Sequence, residues 1–186
     1  MLQVKETSRL CFELMSENDA ELMFQLDQDP QVMKFITRGK CPTRDDITNV
    51  FIPRMQAYTN PDKGWGLWKI MRRNSGDFLG WVLVRPMYFF DDEKPTALDD
   101  LELGWRLHRR YWGLGYATEA AQAIADALIA TGEINYLTAL AMEENVGSIG
   151  VMKKLGMAYV KSDTHQDPLG ALDVAYYRCA VSELTG

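Results

Sequence analysis

Leu101 to Ile129 constrains the fold of this chain more than any other stretch. From Leu101 to His108 the residues alternate, with Leu101, Leu103, Trp105 and Leu107 on one side and Glu102, Gly104, Arg106 and His108 on the other, which is the period of a strand with two unlike faces. The period then changes. Ala117, Ala120, Ala121, Ile124, Ala125, Leu128 and Ile129 form one apolar stripe at helical spacing, its alanines small enough for close packing on a sheet, with Gly132 placed as a stop. Between strand and helix lies Arg110-Tyr111-Trp112-Gly113-Leu114-Gly115-Tyr116-Ala117-Thr118. Its two glycines let the backbone approach an anion closely, and the first-turn N–H groups of the helix supply donors at a positive dipole end, with Arg110 adding a fixed charge. The plainer account of an isolated Gly-x-Gly is a tight turn. Other phosphate motifs fit less well: Thr118 stands where Gly-x-Gly-x-x-Gly requires its third glycine, and no Gly-Lys-Ser/Thr follows.

The flanking sequence reads as mixed α/β. Arg9 to Met15 is a short strand, and Ser16-x-x-Asp19 introduces an amphipathic helix through Leu26, closed by Asp29-Pro30. Thr43 and Asp46 open a second helix whose Pro53 predicts a kink or split. Trp65 to Arg72 and Phe78 to Tyr88 are strands joined by Asn74-Ser75-Gly76-Asp77, a hairpin signal. Phe89 to Asp100 reads as an exposed acidic loop on the substrate side. Ile134 to Met142, apolar on both faces, completes a right-handed strand–helix–strand crossover. Asn145 then caps a helix ending at Gly156, and strands Met157 to Ser162 and Leu172 to Val181 close the order.

Length and charge narrow the classes. A chain of 186 residues, 47% apolar, suits one domain spanning 1–186. Three scattered cysteines (Cys11, Cys41, Cys179) and two histidines (His108, His165) argue against a disulfide framework and a metal cluster, and favour a reducing cytoplasm. No apolar run reaches the roughly 18 residues of a membrane span. A net charge of −6 disfavours direct nucleic-acid binding, whereas Arg106, His108, Arg109 and Arg110 form a basic spot suited to an anionic ligand.

The run Arg110-x-x-Gly113-x-Gly115, extended as Trp112-Gly-x-Gly-Tyr-Ala-Thr-Glu-Ala120, resembles the acyl-CoA signature of the GCN5-related N-acetyltransferase (GNAT) superfamily, and in its longer form the RimJ/RimL-like branch that acetylates ribosomal-protein alanines. The resemblance runs from Asp29-Pro30 through Asn145-x-x-Ser148 to Lys154-Leu155-Gly156-Met157. It implies a twisted, mostly antiparallel sheet of about seven strands, splayed between the fourth and fifth, with helices on both faces. It also implies acetyl-CoA as cosubstrate, without metal, and a primary amine as acceptor, either a protein N-terminus or a small molecule. Backbone groups of Trp105, Arg106 and Leu107 would pair with the pantetheine arm. Arg110, Trp112, Gly113, Leu114, Gly115, Tyr116, Ala117 and Thr118 would surround the pyrophosphate, with Asn145 and Ser148 as further coenzyme contacts. A homodimer is compatible with the sequence.

Acyl transfer to an amine requires the neutral nitrogen, so an ammonium of pKa about 10.4 must lose a proton. Glu102 is the candidate base, since a carboxylate on the polar face of a strand beside the crossover must line a cavity or be buried at a cost. The bland account of Glu102 is a solvated charge or an ion pair with Arg106. His108 is a second candidate, weakened by its arginine neighbours. Many relatives protonate the thiolate with a tyrosine at the position of Met152; here the resemblance passes that role to Ser148. The Ser148 surroundings lack a Gly-x-Ser-x-Gly elbow, so a hydrolase is disfavoured, and Asn145 is equally a simple helix cap. A backbone N–H of the Ile134 to Met142 strand would face the thioester oxygen. Asp91, Asp92, Glu93, Asp99 and Asp100 would attract a cationic amine or merely be solvated. Trp65, Trp68, Trp81 and Tyr88 either wall an acceptor pocket or belong to the core. The rival class is a non-catalytic acyl-CoA-binding module.

Overall fold

The computed structural model describes residues 1–165 and 170–184. Among the described residues seven strands, β1 (Leu10–Leu14), β2 (Gly66–Arg72), β3 (Phe78–Met87), β4 (Ala97–Leu107), β5 (Tyr136–Ala141), β6 (Ala158–His165) and β7 (Leu172–Ala180), form one sheet in the order β1-β2-β3-β4-β5-β7-β6. All neighbours are antiparallel except β4 and β5. The helices are α1 (Ala20–Leu26), α2 (Arg44–Asp46), α3 (Ile52–Tyr58), α4 (Tyr116–Ile129), α5 (Val146–Lys154) and α6 (Val181–Leu184). This is the mixed, mostly antiparallel architecture expected from the sequence.

The two faces of β4 divide the core as its alternation predicts. Leu101, Leu103 and Leu107 join the cluster under α4, where Ala120, Ala121 and Ile124 are fully buried. On the opposite face Met23 of α1 and Ile52 and Met55 of α3 pack with Leu67 of β2. Two amphipathic helical layers therefore bury one sheet between them.

Strands β4 and β5 pair only at Asp100–Tyr136, Leu101–Leu137 and Glu102–Thr138. Beyond these, β4 stays bonded to β3 as far as Leu107–Gly80, and β5 to β7 as far as Ala141–Ala175. Each strand keeps its outer partner and loses its inner one, so the sheet opens after Glu102. The backbone groups facing that gap have no ladder partner there and are free to bond a ligand.

Both predicted capping boxes form. Ser16 and Asp19 cap a 3₁₀ turn (Glu17–Asp19) leading into α1, and Thr43 and Asp46 cap α2. The helical run that holds Pro53 is interrupted rather than one uniform α-helix. A π-turn, Ile47–Phe51, links α2 to α3, and the Ile52 N–H reaches back to the Ile47 carbonyl. Widening the turn accommodates a residue with no N–H to give and a ring that would collide with the preceding turn.

Three expectations need correction. The acidic connection is shorter than Phe89 to Asp100, because β3–β4 pairing resumes at Met87–Ala97 after a register shift. Asp100 is consequently a buried strand residue, held by the Thr138 hydroxyl at 2.7 Å and by Arg178 at 2.9 Å. Asp91 is also buried, where it accepts from the Glu93 and Lys94 N–H groups at 2.9 and 3.1 Å. Strand β6 extends past Ser162 to His165, while β7 stops at Ala180 and Val181 begins α6.

Candidate active site

The loop after β4 is rigidly tied down. A 3₁₀ turn, Arg109–Tyr111, follows His108, and the Trp112 indole N–H donates to the Leu107 carbonyl at 2.8 Å. Tyr111 and Tyr116 are buried beneath the loop, edge to face at 6.1 Å. Gly113 (φ 72°) and Gly115 (φ 81°) both lie in the left-handed region, where side chains other than glycine are strained. A Cβ on Gly113 would meet nothing within 4 Å, so the outer side of the loop is open. Gly115 is the N-cap of α4 and offers no side-chain cap, which leaves the first-turn amides for another acceptor. Arg110 is exposed, its guanidinium 4.9 Å from the Tyr111 ring centre.

Arg9, on the approach to β1, was not legible as a site residue. Its guanidinium donates to the Leu114 carbonyl at 3.1 Å, lies 4.3 Å over the Tyr116 ring and pairs with Glu119 in the first turn of α4 at 2.5 Å. The partners are more than a hundred residues away, so no local pattern signals them.

Glu102 occupies the last paired position of β4 before the gap, on the face opposite α4. It is buried, and its partner is Arg85 rather than Arg106: the Arg85 Nε and Nη2 donate to the two carboxylate oxygens at 2.7 and 3.2 Å. Arg85 stands directly across β3–β4 from Glu102, whereas Arg106 lies four residues along its own strand. Arg106 instead reaches α1, with Nη1 at 2.8 and 2.7 Å from the two oxygens of Asp27 and the guanidinium 4.7 Å from the Trp81 ring. Its side chain thus faces away from α4, leaving its backbone as the part able to contact a ligand in the gap.

For Trp65 and Trp68 the structure favours the core alternative over the pocket wall. Trp68 is buried with its indole N–H on the Gly64 carbonyl, and Trp65 packs against the same core. Trp81 supports Arg106, and Tyr88 is half-buried at the end of β3. Around Arg85 stand Tyr58 and Phe90, each within 6 Å of its guanidinium, with Phe89 edge-on to Tyr58. Burial pushes the Tyr58 hydroxyl up to about 12, so it remains a protonated donor at neutral pH.

At the far side of the gap Asn145 Oδ1 accepts the Ser148 N–H at 3.2 Å, so Asn145 caps α5. Ser148 is half-buried in the first turn of that helix, and Met152, one turn on, is fully buried. A methyl thioether in the core cannot donate a proton. The Trp105 indole N–H is buried without a protein partner among the described residues. Within the same residues, no three His, Cys, Asp or Glu side chains gather as a metal site, and no helix is long and apolar enough to cross a membrane.

His108 packs edge-on against Phe78 at 5.8 Å. Burial, reinforced by the Arg110 charge, lowers its pKa from 6.5. The unfolded chain therefore takes up this proton first as the pH falls. The stability present above pH 6.5 is lost on acidification until the folded-state value is passed, and then levels off. A His108→Gln variant should show a flatter thermal midpoint between about pH 7 and about pH 5 than the parent; an unchanged slope would contradict this account.

The chain matches the family model described as "Acetyltransferase (GNAT) domain" over residues 9–158. It is 28% identical over 156 residues to an Aspergillus fumigatus protein, "FsC-acetyl coenzyme A-N(2)-transacetylase", a match covering 84% of this chain and 65% of that one. The structure of a GNAT-family acetyltransferase from Bacillus anthracis superimposes with a TM-score of 0.74 at 24% identity, over 96% of this chain and 98% of that one. RimL, a ribosomal L7/L12 α-N-protein acetyltransferase solved with coenzyme A, superimposes with a TM-score of 0.72 at 12% identity, over 95% and 97%. At such identities the structural likenesses speak for the fold, and the family match carries the assignment. With its split sheet and left-handed glycine loop in place, the chain belongs to the GNAT acetyltransferase family.

Proposed function

We propose that this protein transfers acetyl from acetyl-CoA to a primary amine by direct attack in a ternary complex. The observation that carries the proposal is the position of the Gly113–Gly115 loop and the uncapped α4 terminus directly after the strand that borders the gap. A diphosphate carries about two charges and several acceptor oxygens, which fits open amides and Arg110. On this reading residues 110 to 118 hold the diphosphate, and the backbone of Trp105 to Leu107 bonds the pantetheine amides along the unpaired edge of β4. Asn145 and Ser148 approach from α5. Acetyl-CoA supplies the activated acyl group, and no metal is required.

Glu102 then accepts the ammonium proton of the acceptor, directly or through water. Both carboxylate oxygens are held by Arg85, which fixes their direction and leaves each a further lone pair. The oxyanion donor is a backbone N–H where β5 turns from β4. The Ser148 hydroxyl serves the departing thiolate, whose pKa of about 8.5 makes it a tolerable leaving group with so modest a donor. The acceptor is a primary amine, either a protein N-terminal α-amine or the amine of a small molecule. Two of the proteins named above bear on this choice: RimL is described as an α-N-protein acetyltransferase, and the Aspergillus protein as an N(2)-transacetylase.

The burial of Met152 at the usual acid position and the anchoring of Glu102 favour one rival, a non-catalytic acyl-CoA-binding module. A thiol-release assay with acetyl-CoA across N-terminal peptides and small primary amines separates the two. Amine-dependent release of CoA, matched by acetylated product, is the expected result. Coenzyme binding without turnover on any amine would favour the module.

A further inference from the structure

We propose that Arg9 is a positioning residue for the coenzyme loop, neutralising Glu119 so that the start of α4 presents a net positive end to the diphosphate. This inference rests on the reading of that loop as the diphosphate cradle. Glu119 occupies the first turn of α4, beside the amides assigned to the anion. An unpaired carboxylate there would repel a second anion and oppose the attraction of the helix end. Three bonds remove that conflict. Thr7 donates its hydroxyl to one carboxylate oxygen at 2.5 Å, and the Arg9 Nε and Nη2 reach the other at 2.6 and 2.5 Å. Partial burial alone would raise the Glu119 pKa, but these donors hold the carboxyl below its ordinary range and keep it charged and engaged.

The same guanidinium shapes the loop. Arg9 Nη1 donates to the Leu114 carbonyl at 3.1 Å, and Nη2 lies 3.5 Å from where a Cβ of Gly115 would stand. The carbonyl between the two left-handed glycines is thereby turned toward Arg9, so that the oxygen is kept away from an incoming anion. Stacking on Tyr116 at 4.3 Å holds the guanidinium in plane, and the Thr7 hydroxyl also accepts the N–H groups of Arg9 and Leu10 at 3.2 and 2.9 Å. A segment more than a hundred residues before the loop thus fixes both its charge and its conformation.

The test compares binding of CoA and of pantetheine, which lacks the diphosphate, by calorimetry on the intact chain. Arg9→Gln should weaken CoA about tenfold, leave pantetheine unchanged, and raise the KM for acetyl-CoA while kcat stays within about twofold. Adding Glu119→Gln should restore most of the lost affinity, because the double variant removes the exposed charge as well as its partner. A merely structural role would weaken CoA and pantetheine alike and would not be rescued. Either that pattern, or unaltered CoA affinity in Arg9→Gln, would overturn the proposal. Parent protein that binds CoA no more tightly than pantetheine would instead overturn the cradle reading, and this role with it.

Discussion

Replacing Gly115 with valine is expected to weaken acetyl-CoA binding by about a hundredfold while the protein remains folded. Gly115 holds φ 81° as the N-cap of α4. A β-branched residue is strained there by about 1–3 kcal/mol, and relaxing that strain rotates the peptide planes next to it. Two amides turned away from a charged ligand, each worth about 1.5 kcal/mol or more, account for the expected loss. The strain itself should lower the thermal midpoint by only about 5 °C in a chain of this size. The contrast between a large change in coenzyme KM and a modest change in melting temperature is the diagnostic. Equal acetyl-CoA affinity in Gly115→Val and parent would mean that the loop merely turns the chain.

Glu102→Gln carries the other large effect. Removing a general base typically costs 10²–10⁴ in rate, and we expect kcat to fall at least about a hundredfold at neutral pH with little change in the KM for acetyl-CoA. Partial recovery at alkaline pH, where more acceptor amine is already neutral, would distinguish loss of a base from loss of positioning. The substitution also removes the charge that Arg85 Nε and Nη2 bond at 2.7 and 3.2 Å. Glutamine keeps one acceptor for Arg85, so a modest loss of stability is expected alongside. Activity is therefore read well below the melting transition, and Glu102→Asp, which keeps the charge with a shorter reach, serves as control. Turnover in Glu102→Gln equal to the parent's would remove the base assignment.

What the sequence made legible were the features governed by local periodicity. The alternation of β4, the alanine stripe of α4, both capping boxes and the two glycines each depend on residues a few positions apart, and each appears in the structure. The split between β4 and β5 was foreseen through the family resemblance, since nothing in either strand alone tells which neighbour it will abandon. What escaped was decided by pairing across distance. Arg85 meets Glu102 through a hairpin register, Asp100 meets Arg178 across the one intervening strand, β5, and Arg9 meets Glu119 more than a hundred residues away. An arginine in sequence carries no mark of which carboxylate it will find. The acidic run near Asp100 misled for the same reason: a charge run suggests solvent until a distant cation is seen to bury it.

The central claim is that the bend between β4 and α4 cradles a diphosphate. A crystal structure of the protein with CoA tests it most directly. The account predicts diphosphate oxygens within hydrogen-bonding distance of the amides between residues 113 and 118, and pantetheine lying in the gap that opens after Glu102. Clear density for the ligand elsewhere, with those amides bonded only to solvent, would contradict it.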